Sequence, residues 1–335
     1  MTPMLVALVG LAAWSLTVGA YPVTLAQAMQ ALLDRLAVLL GGASEATAVT
    51  STIDTVLFGI RLPRLAAAMT VGGCLAAAGA CYQTIFRNPL VSPDILGVSA
   101  GAGLGAVLGI FLSLPVAGIQ FLAFAGGLGA VGLVVLLVAA IPGRESVLTL
   151  ILGGVVVGAL AGACTSLLKV LADPYDQLPA ITFWLLGSLA AINGADVLSV
   201  LPFAVLGFVP LIALRWRIGL LSLDDDEGQA LGVPVRRMRL LVIACATLVT
   251  SSVVAIAGVI GWVGLVIPHI ARMIVGPSFQ RLLPASAVLG AAYLILVDTL
   301  ARTLSGNEIP LGILTAVVGA PFFLWLLARG RRGWA

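Results

Sequence analysis

The chain alternates long apolar stretches with short polar interruptions. Apolar runs cover 4–20, 62–84, 94–112, 116–140, 147–171, 197–214, 240–257, 259–275, 285–303 and 310–328. Most approach the roughly 20 residues a helix needs to cross a hydrocarbon core, so ten transmembrane helices are expected. The segment 24–41 has apolar residues at helical spacing with Gln27, Gln30, Asp34 and Arg35 between them. That pattern predicts a helix lying in the membrane interface. The Gly/Ser/Thr/Ala-rich stretch 41–55 reads as a loop. So does 172–196, which holds Asp173-Pro174, Pro179 and Asn193-Gly194 and has room for a short helix around 183–189. The first apolar run lacks the basic start and cleavage site of a signal peptide, and it is expected to remain as a spanning helix.

Composition removes the soluble alternative. Of 335 residues, 61% are hydrophobic and 9% charged, against about 25% charged in an average soluble domain. The 39 glycines suit helices that approach closely in lipid. The expected fold is an all-α membrane protein in one domain, 1–335. It divides into a first span with a periplasmic interfacial segment (1–60), spans 2–6 (61–214), an inner-face segment (215–239), and spans 7–10 with a tail (240–335). With both termini inside, twelve of the 17 cationic residues fall on inner segments. Five, Arg35, Arg61, Arg64, Lys169 and Arg302, fall outside. That is the bias of the positive-inside rule. The net charge of +3 is spread over helix ends and forms no nucleic-acid patch. Cys74, Cys81, Cys164 and Cys245 sit in apolar runs without metal-ligand spacing and read as packing residues.

A weak internal repeat is visible. Arg61-Leu62-Pro63-Arg64 opens span 2, and Arg236-Arg237-Met238-Arg239 opens span 7. Ala78-Gly79 precedes Pro89 as Ala257-Gly258 precedes Pro268. Units five helices apart must be inverted, so an inverted five-helix pseudo-repeat is expected.

Chemistry inside the membrane is sparse. Of fourteen acidic residues, Asp298 alone lies well within a span, with Arg302 one turn later. An i, i+4 ion pair locking that helix is expected. The sole histidine, His269, reads as a hydrogen-bonding group at a helix end. No Gly-x-x-x-x-Gly-Lys-Ser/Thr loop occurs, so ATP, if used, belongs to another chain. The longest polar interruption, 221–240, places acids at 224–227 and arginines at 236, 237 and 239. Leu221, Leu223, Leu231 and Val233 flank the acids, which predicts a small amphipathic helix that docks a partner.

Several segments, in order from about residue 60 to the C-terminus, carry a resemblance. They are Arg61-Leu62-Pro63-Arg64; Arg87-Asn88-Pro89-Leu90 with Pro93-Asp94-Ile95-Leu96-Gly97-Val98-Ser99-Ala100-Gly101-Ala102; and Phe183-Trp184-Leu185-Leu186-Gly187-Ser188-Leu189. Then follow Leu231-Gly232-Val233; Gly264-Leu265-Val266-Ile267-Pro268-His269-Ile270-Ala271-Arg272; Asp298-Thr299-Leu300-Ala301-Arg302; Glu308-Ile309-Pro310-Leu311-Gly312; and Gly319-Ala320-Pro321-Phe322-Phe323. The chain resembles the FecCD-type permeases of ABC importers for iron-siderophores, haem and cobalamin. It departs at Asp224, where the family usually has Gly, and at Gly228, where Ala is usual. Gly weakens a helix interior by about 1 kcal/mol, which puts the start of the inner-face helix in question.

The resemblance implies a type II importer permease of the bacterial cytoplasmic membrane, itself no enzyme. It implies a homodimer with the path between copies, two ATPase subunits carrying ATP and Mg, and a soluble substrate-binding protein outside. The substrate would be a metal chelate, an iron-siderophore or haem. Arg61, Arg64 and Arg302 would receive acids of the binding protein. Leu223, Asp226, Glu227, Leu231, Gly232 and Val233 would meet the ATPase. Asn88 and Leu90, with Ser146 and Val147, would narrow the inner end of the path. No cofactor or resident metal is implied. The competing readings are a gradient-driven secondary transporter, which the scarcity of intramembrane acids disfavours, and an intramembrane enzyme, for which no nucleophile–base pair is present.

Overall fold

A computed structural model describes residues 2–19, 21–39, 52–140 and 147–329. All regular structure among them is helical: α1 (Thr2–Thr17), α2 (Leu25–Leu39), α3 (Thr52–Ile85), α4 (Val98–Phe111), α5 (Val116–Ala139), α6 (Val147–Leu171) and α7 (Gln177–Leu186). Then come α8 (Gly194–Ala213), α9 (Arg215–Gly219), α10 (Asp225–Ala230), α11 (Val235–Ala257), α12 (Val263–Val275), α13 (Phe279–Ala301) and α14 (Leu311–Arg329). Each of the ten expected spans coincides with a helix. Six of these, α3, α5, α6, α8, α11 and α13, are long and apolar enough to cross a bilayer alone.

Burial sorts the long helices into two groups. The apolar windows of α3, α11 and α13 are 78%, 67% and 61% buried within the chain, whereas those of α5, α6 and α8 are 33% or less. The first three form the centre. The second three turn large apolar side chains outward, among them Leu136, Val156 and Leu206. In water such a surface would be untenable; in lipid it is the ordinary exterior. Close approach at the centre depends on absent side chains. A Cβ on Gly79 would stand 1.9 Å from the carbonyl oxygen of Gly264, and one on Gly72 would stand 2.2 Å from that of Gly290. Both would overlap backbone, so α3 packs against α12 and α13 only with glycine there.

Several element boundaries differ from the sequence expectation, and three of them have a clear local cause. The loop expected over 41–55 falls mainly outside the described residues, but Thr52 already begins α3, and Thr55–Arg61 winds as a π-helix before the α-helix resumes at Leu62. Arg61 therefore sits more than two turns inside a helix rather than opening one. The short helix expected around 183–189 runs instead over Gln177–Leu186 and stops at Gly187, whose φ is +71°. Asp173 supplies the start, since its Oδ1 accepts the Tyr175 and Asp176 amides. Likewise α8 starts three residues earlier than its apolar run. Asn193 caps it in a reciprocal capping box with Asp196, and that polar signal precedes the hydrophobic one.

The short helices have a common logic. At about 1.5 Å per residue, the 13 residues of α12 span only about 20 Å. The chain around it is irregular: Gly258 has φ +69° and Trp262 +70°. The irregular segments are tied to one another, because the Ser188 amide donates to Ala257 and the Leu311 amide to the carbonyl of Gly187, both at 2.9 Å. Broken helices of this kind are tolerated at membrane depth when protein surrounds the break. The second pair of repeat markers is not equivalent in space: Gly79 lies mid-helix in α3, whereas Gly258 closes α11. A helix forms over Leu25–Leu39, where the spacing predicts one. Ala28 and Ala31 of α2 pack on Ile53 and Leu57 at the start of α3, and Arg35 lies over the Phe58 ring.

Candidate functional site

The charged residues of the spans gather at two ends of the bundle. On the side expected to face outward, Arg64 Nε donates to Asp298 Oδ1 at 2.7 Å. Its two terminal nitrogens donate to Glu308 at 2.8 and 2.9 Å. Arg302 stands farther from Asp298, Nε to Oδ2 at 3.7 Å, and bonds the carbonyls of Val18 and Ser15 with the Ser15 hydroxyl. Arg61 donates to the carbonyls of Leu16 and Tyr21. Arg61 and Arg302 thus close around the end of α1, and together with Arg64, Asp298 and Glu308 they line a cavity of about 230 Å³.

This geometry revises two expectations. Asp298 is not held chiefly by its i+4 neighbour; its short contact is to Arg64, 234 positions away in the chain. And the arginines do not stand free at the surface. Arg61 and Arg64 are each 7% exposed, and each has its fork occupied by groups of this chain. Glu308, with a 41% exposed side chain, is the accessible member. Sequence reading missed Glu308 because nothing in its spacing links it to Arg64.

The opposite end holds the elements that the sequence assigned to a partner and to a gate. α10 forms despite Asp224 and Gly228. Asp224 occupies the N-cap in an extended conformation, and Asp225, Asp226 and Glu227 fill the first turn, where acids favour the helix dipole. Gly228 is buried, and a Cβ there would come within 3.0 Å of Val235 Cγ2, so its missing side chain lets α10 fold down on α11. The helix ends in a Schellman motif: the Val233 amide donates to the carbonyl of Gly228 and the Gly232 amide to that of Gln229. Gly232 takes the required positive φ, +79°. The motif divides the segment. Val233, at 4% exposure, is an anchor, whereas Leu231, at 58%, projects outward together with Asp226 and Glu227. Leu223 is half-buried at the end of the preceding turn.

The carboxyl end of α3 carries the same motif with a different residue. The Asn88 amide donates to the carbonyl of Gln83 and the Arg87 amide to that of Thr84. Arg87 therefore occupies the left-handed position with φ +49°. Its guanidinium reaches across to α10 and bonds the carboxylates of both Asp224 and Asp225. Asp225 also accepts from Arg239 at 2.9 Å. Beyond Arg87, Asn88 Oδ1 accepts the Leu90 amide at 2.9 Å, a tight Asx turn, and Leu90 is 37% exposed. Val147 packs partly against the core at the start of α6, while Ser146 lies outside the described residues. A cavity of about 670 Å³ adjoins this loop, lined by Gln83, Arg87, Asn88, Trp216 and Arg272 among others.

The remaining candidates have packing roles. His269 lies within α12, its ring edge-on to Phe322 at 6.4 Å between centroids, and Nδ1 has no partner among the described residues. It does not act as the helix-end hydrogen-bonding group expected. Cys74 and Cys81 are buried thiols, and no cluster with metal-binding capacity occurs among the described residues.

The profile of the FecCD transport family matches residues 6–329, and the chain belongs to that family. Among its relatives, the molybdate import system permease protein MolB of Haemophilus influenzae is 41% identical over 320 residues, covering 95% of this chain and 92% of the relative. An iron chelatin transport system permease protein of Helicobacter pylori is 43% identical over 281 residues, covering 84% and 85%. A solved structure described as a metal-chelate type ABC transporter in an inward-facing conformation superposes with a TM-score of 0.86 at 39% identity, covering 98% of each chain.

Proposed function

We propose that this chain is the permease subunit of a binding-protein-dependent importer and carries a metal chelate, an iron-siderophore or haem, between two copies of itself. Separate ATPase subunits hydrolyse the ATP. The observation that carries this reading is the inner-face module. α10 exposes Asp226, Glu227 and Leu231 on a six-residue helix that nevertheless closes in a Schellman motif and is tied through Arg87 to the loop of Asn88 and Leu90. A surface so built suits docking of an ATPase and transmission to a gate. The family membership supports the same conclusion.

Asn88 and Leu90, with Ser146 and Val147, then narrow the inner end of the path. Cys at Leu90 should crosslink between copies in the closed state and block transport. Labelling of Leu90→Cys from the lipid phase alone would contradict that placement. On the outer face the binding protein docks over the arginine cluster, with Glu308 as the exposed carboxylate that its acids displace.

The substrate test is uptake into proteoliposomes containing the permease, its ATPase and its binding protein. A ferric hydroxamate siderophore, haemin and molybdate would be offered in turn, with ATP inside. Accumulation of the siderophore or haemin is expected; accumulation of molybdate alone would reassign the cargo to oxyanions. The gradient-driven alternative loses its carboxylate, since Asp298 already faces Arg64 and Arg302. Uptake abolished by an ionophore and indifferent to ATP would reinstate it.

A further inference from the structure

Arg87 carries a backbone feature, a left-handed conformation at the end of α3, that neither the family resemblance nor the transport reading uses. Three helices of this chain end in the same backbone motif, α10 at Gly232, α4 at Ser113 and α3 at Arg87. The motif needs a residue at positive φ, and glycine meets that need without steric cost. α10 uses glycine. α3 uses arginine at φ +49°, a conformation that side chains disfavour. The backbone reason alone would favour glycine at 87, and what sets Arg87 apart from Ser113, which holds the same position in α4, is the pair of carboxylates its side chain reaches.

That function is visible in its partners. The fork of Arg87 spans from the end of α3 to the N-cap Asp224 and first-turn Asp225 of α10, 137 and 138 residues further along the chain. One position beyond Arg87, the chain enters the Asx turn that sets Asn88 and Leu90. The clamp is therefore the shortest covalent-plus-ionic route from α10 to that turn. Its carboxylates remain accessible, Asp224 at 79% and Asp225 at 45%. An accessible pair adds little to the stability of the fold, but it fixes the orientation of one element against another because guanidinium donors are planar and directional.

We propose that Arg87 is the positioning residue that transmits displacement of α10 to the Asn88–Leu90 turn, so that movement of the docked ATPase moves the gate. The inference rests on the importer reading above and adds to it a named link. Rotation of α10 pulls Asp224 and Asp225 against a fork whose backbone sits at the hinge between α3 and the turn.

The test substitutes the residue that the backbone prefers. Arg87→Gly keeps the Schellman motif and removes only the fork. In proteoliposomes of the full complex, supplied with whichever of the three substrates the unmodified complex accumulates, we expect substrate imported per ATP hydrolysed to fall at least tenfold. The ATPase should still co-purify in full stoichiometry, and the melting temperature of the permease should not decrease. Arg87→Lys, which retains one charged contact, should recover part of the ratio, and Asp224→Asn should lower it less than Arg87→Gly does. An unchanged ratio in Arg87→Gly would overturn the proposal. So would a loss of transport that tracks loss of the ATPase or of thermal stability, because the clamp would then be structural. Absence of ATP-driven uptake in the unmodified complex would instead sink the importer reading, and the link with it.

Discussion

Arg64 Nε and Asp298 Oδ1 meet at 2.7 Å across the middle of the chain's sequence, with side chains only 8% and 5% exposed. That contact joins α3 to α13, two of the three central helices, and Arg302 approaches the same carboxylate from the other side. A buried pair of this kind adds modest net stability when intact, but removing one partner strands the other charge and typically costs about 3–5 kcal/mol.

Asp298→Ala should therefore be severely destabilising, by about 3–5 kcal/mol, because Arg64 and Arg302 lose their shared anion. Glu308→Gln should lower stability by about 1 kcal/mol or less, since Glu308 is 41% exposed and water screens it. Thermal unfolding of both variants in the same detergent tests the ranking. Equal losses would show that the network is not divided between a buried and an exposed acid as the exposures indicate.

Glu308→Gln also bears on docking. It removes the negative charge and one of the two acceptor oxygens that the terminal nitrogens of Arg64 now face. If acids of the binding protein take over that fork, Glu308→Gln should raise docking affinity severalfold at low salt, and the gain should fade at high salt. Arg61→Glu with Arg64→Glu should weaken docking and abolish stimulation of ATP hydrolysis. Titration of the binding protein onto detergent-purified complex measures both. A drop in affinity with Glu308→Gln would assign Glu308 itself as the contact.

Leu231 and Val233 are two residues apart and should respond in opposite ways. Leu231→Asp alters a side chain that is 58% exposed, so the permease should fold normally while ATPase co-purification is lost. Val233→Asp buries a charge at a position 4% exposed and should lower permease yield itself. Retention of the ATPase at unchanged yield in Leu231→Asp would remove α10 from the interface.

Gly79→Ala and Gly129→Ala test the centre against the periphery. A Cβ at Gly79 overlaps the Gly264 carbonyl, whereas one at Gly129 meets nothing within 4 Å. Gly79→Ala should force α3 and α12 apart and cost about 1–3 kcal/mol or more. Gly129→Ala should be neutral or slightly stabilising through helix propensity, by up to about 1 kcal/mol. Melting temperatures of the pair, measured side by side, decide it.

The hydropathy pattern by itself determined the helical membrane class, the positions of ten apolar helices, six of them long and apolar enough to cross a bilayer, and the existence of α2. Apolar runs report the solvent directly, and the bilayer admits few alternatives to the helix. The polar interruption at 221–240 likewise announced α10, because capping acids and flanking leucines are local signals. Only the tertiary structure decided where charges pair. Arg64 finds Asp298 and Glu308, and Arg87 finds Asp224 and Asp225, over separations of more than 130 residues. No spacing rule covers such distances. In sequence Arg302 was the evident partner of Asp298 at i+4, but burial leaves a carboxylate to the donor best aimed at it, and that donor is Arg64. The same holds for Arg87. Its charge was legible as topology, while its left-handed backbone and its reach to α10 exist only once α3 and α10 are packed at one end of the bundle.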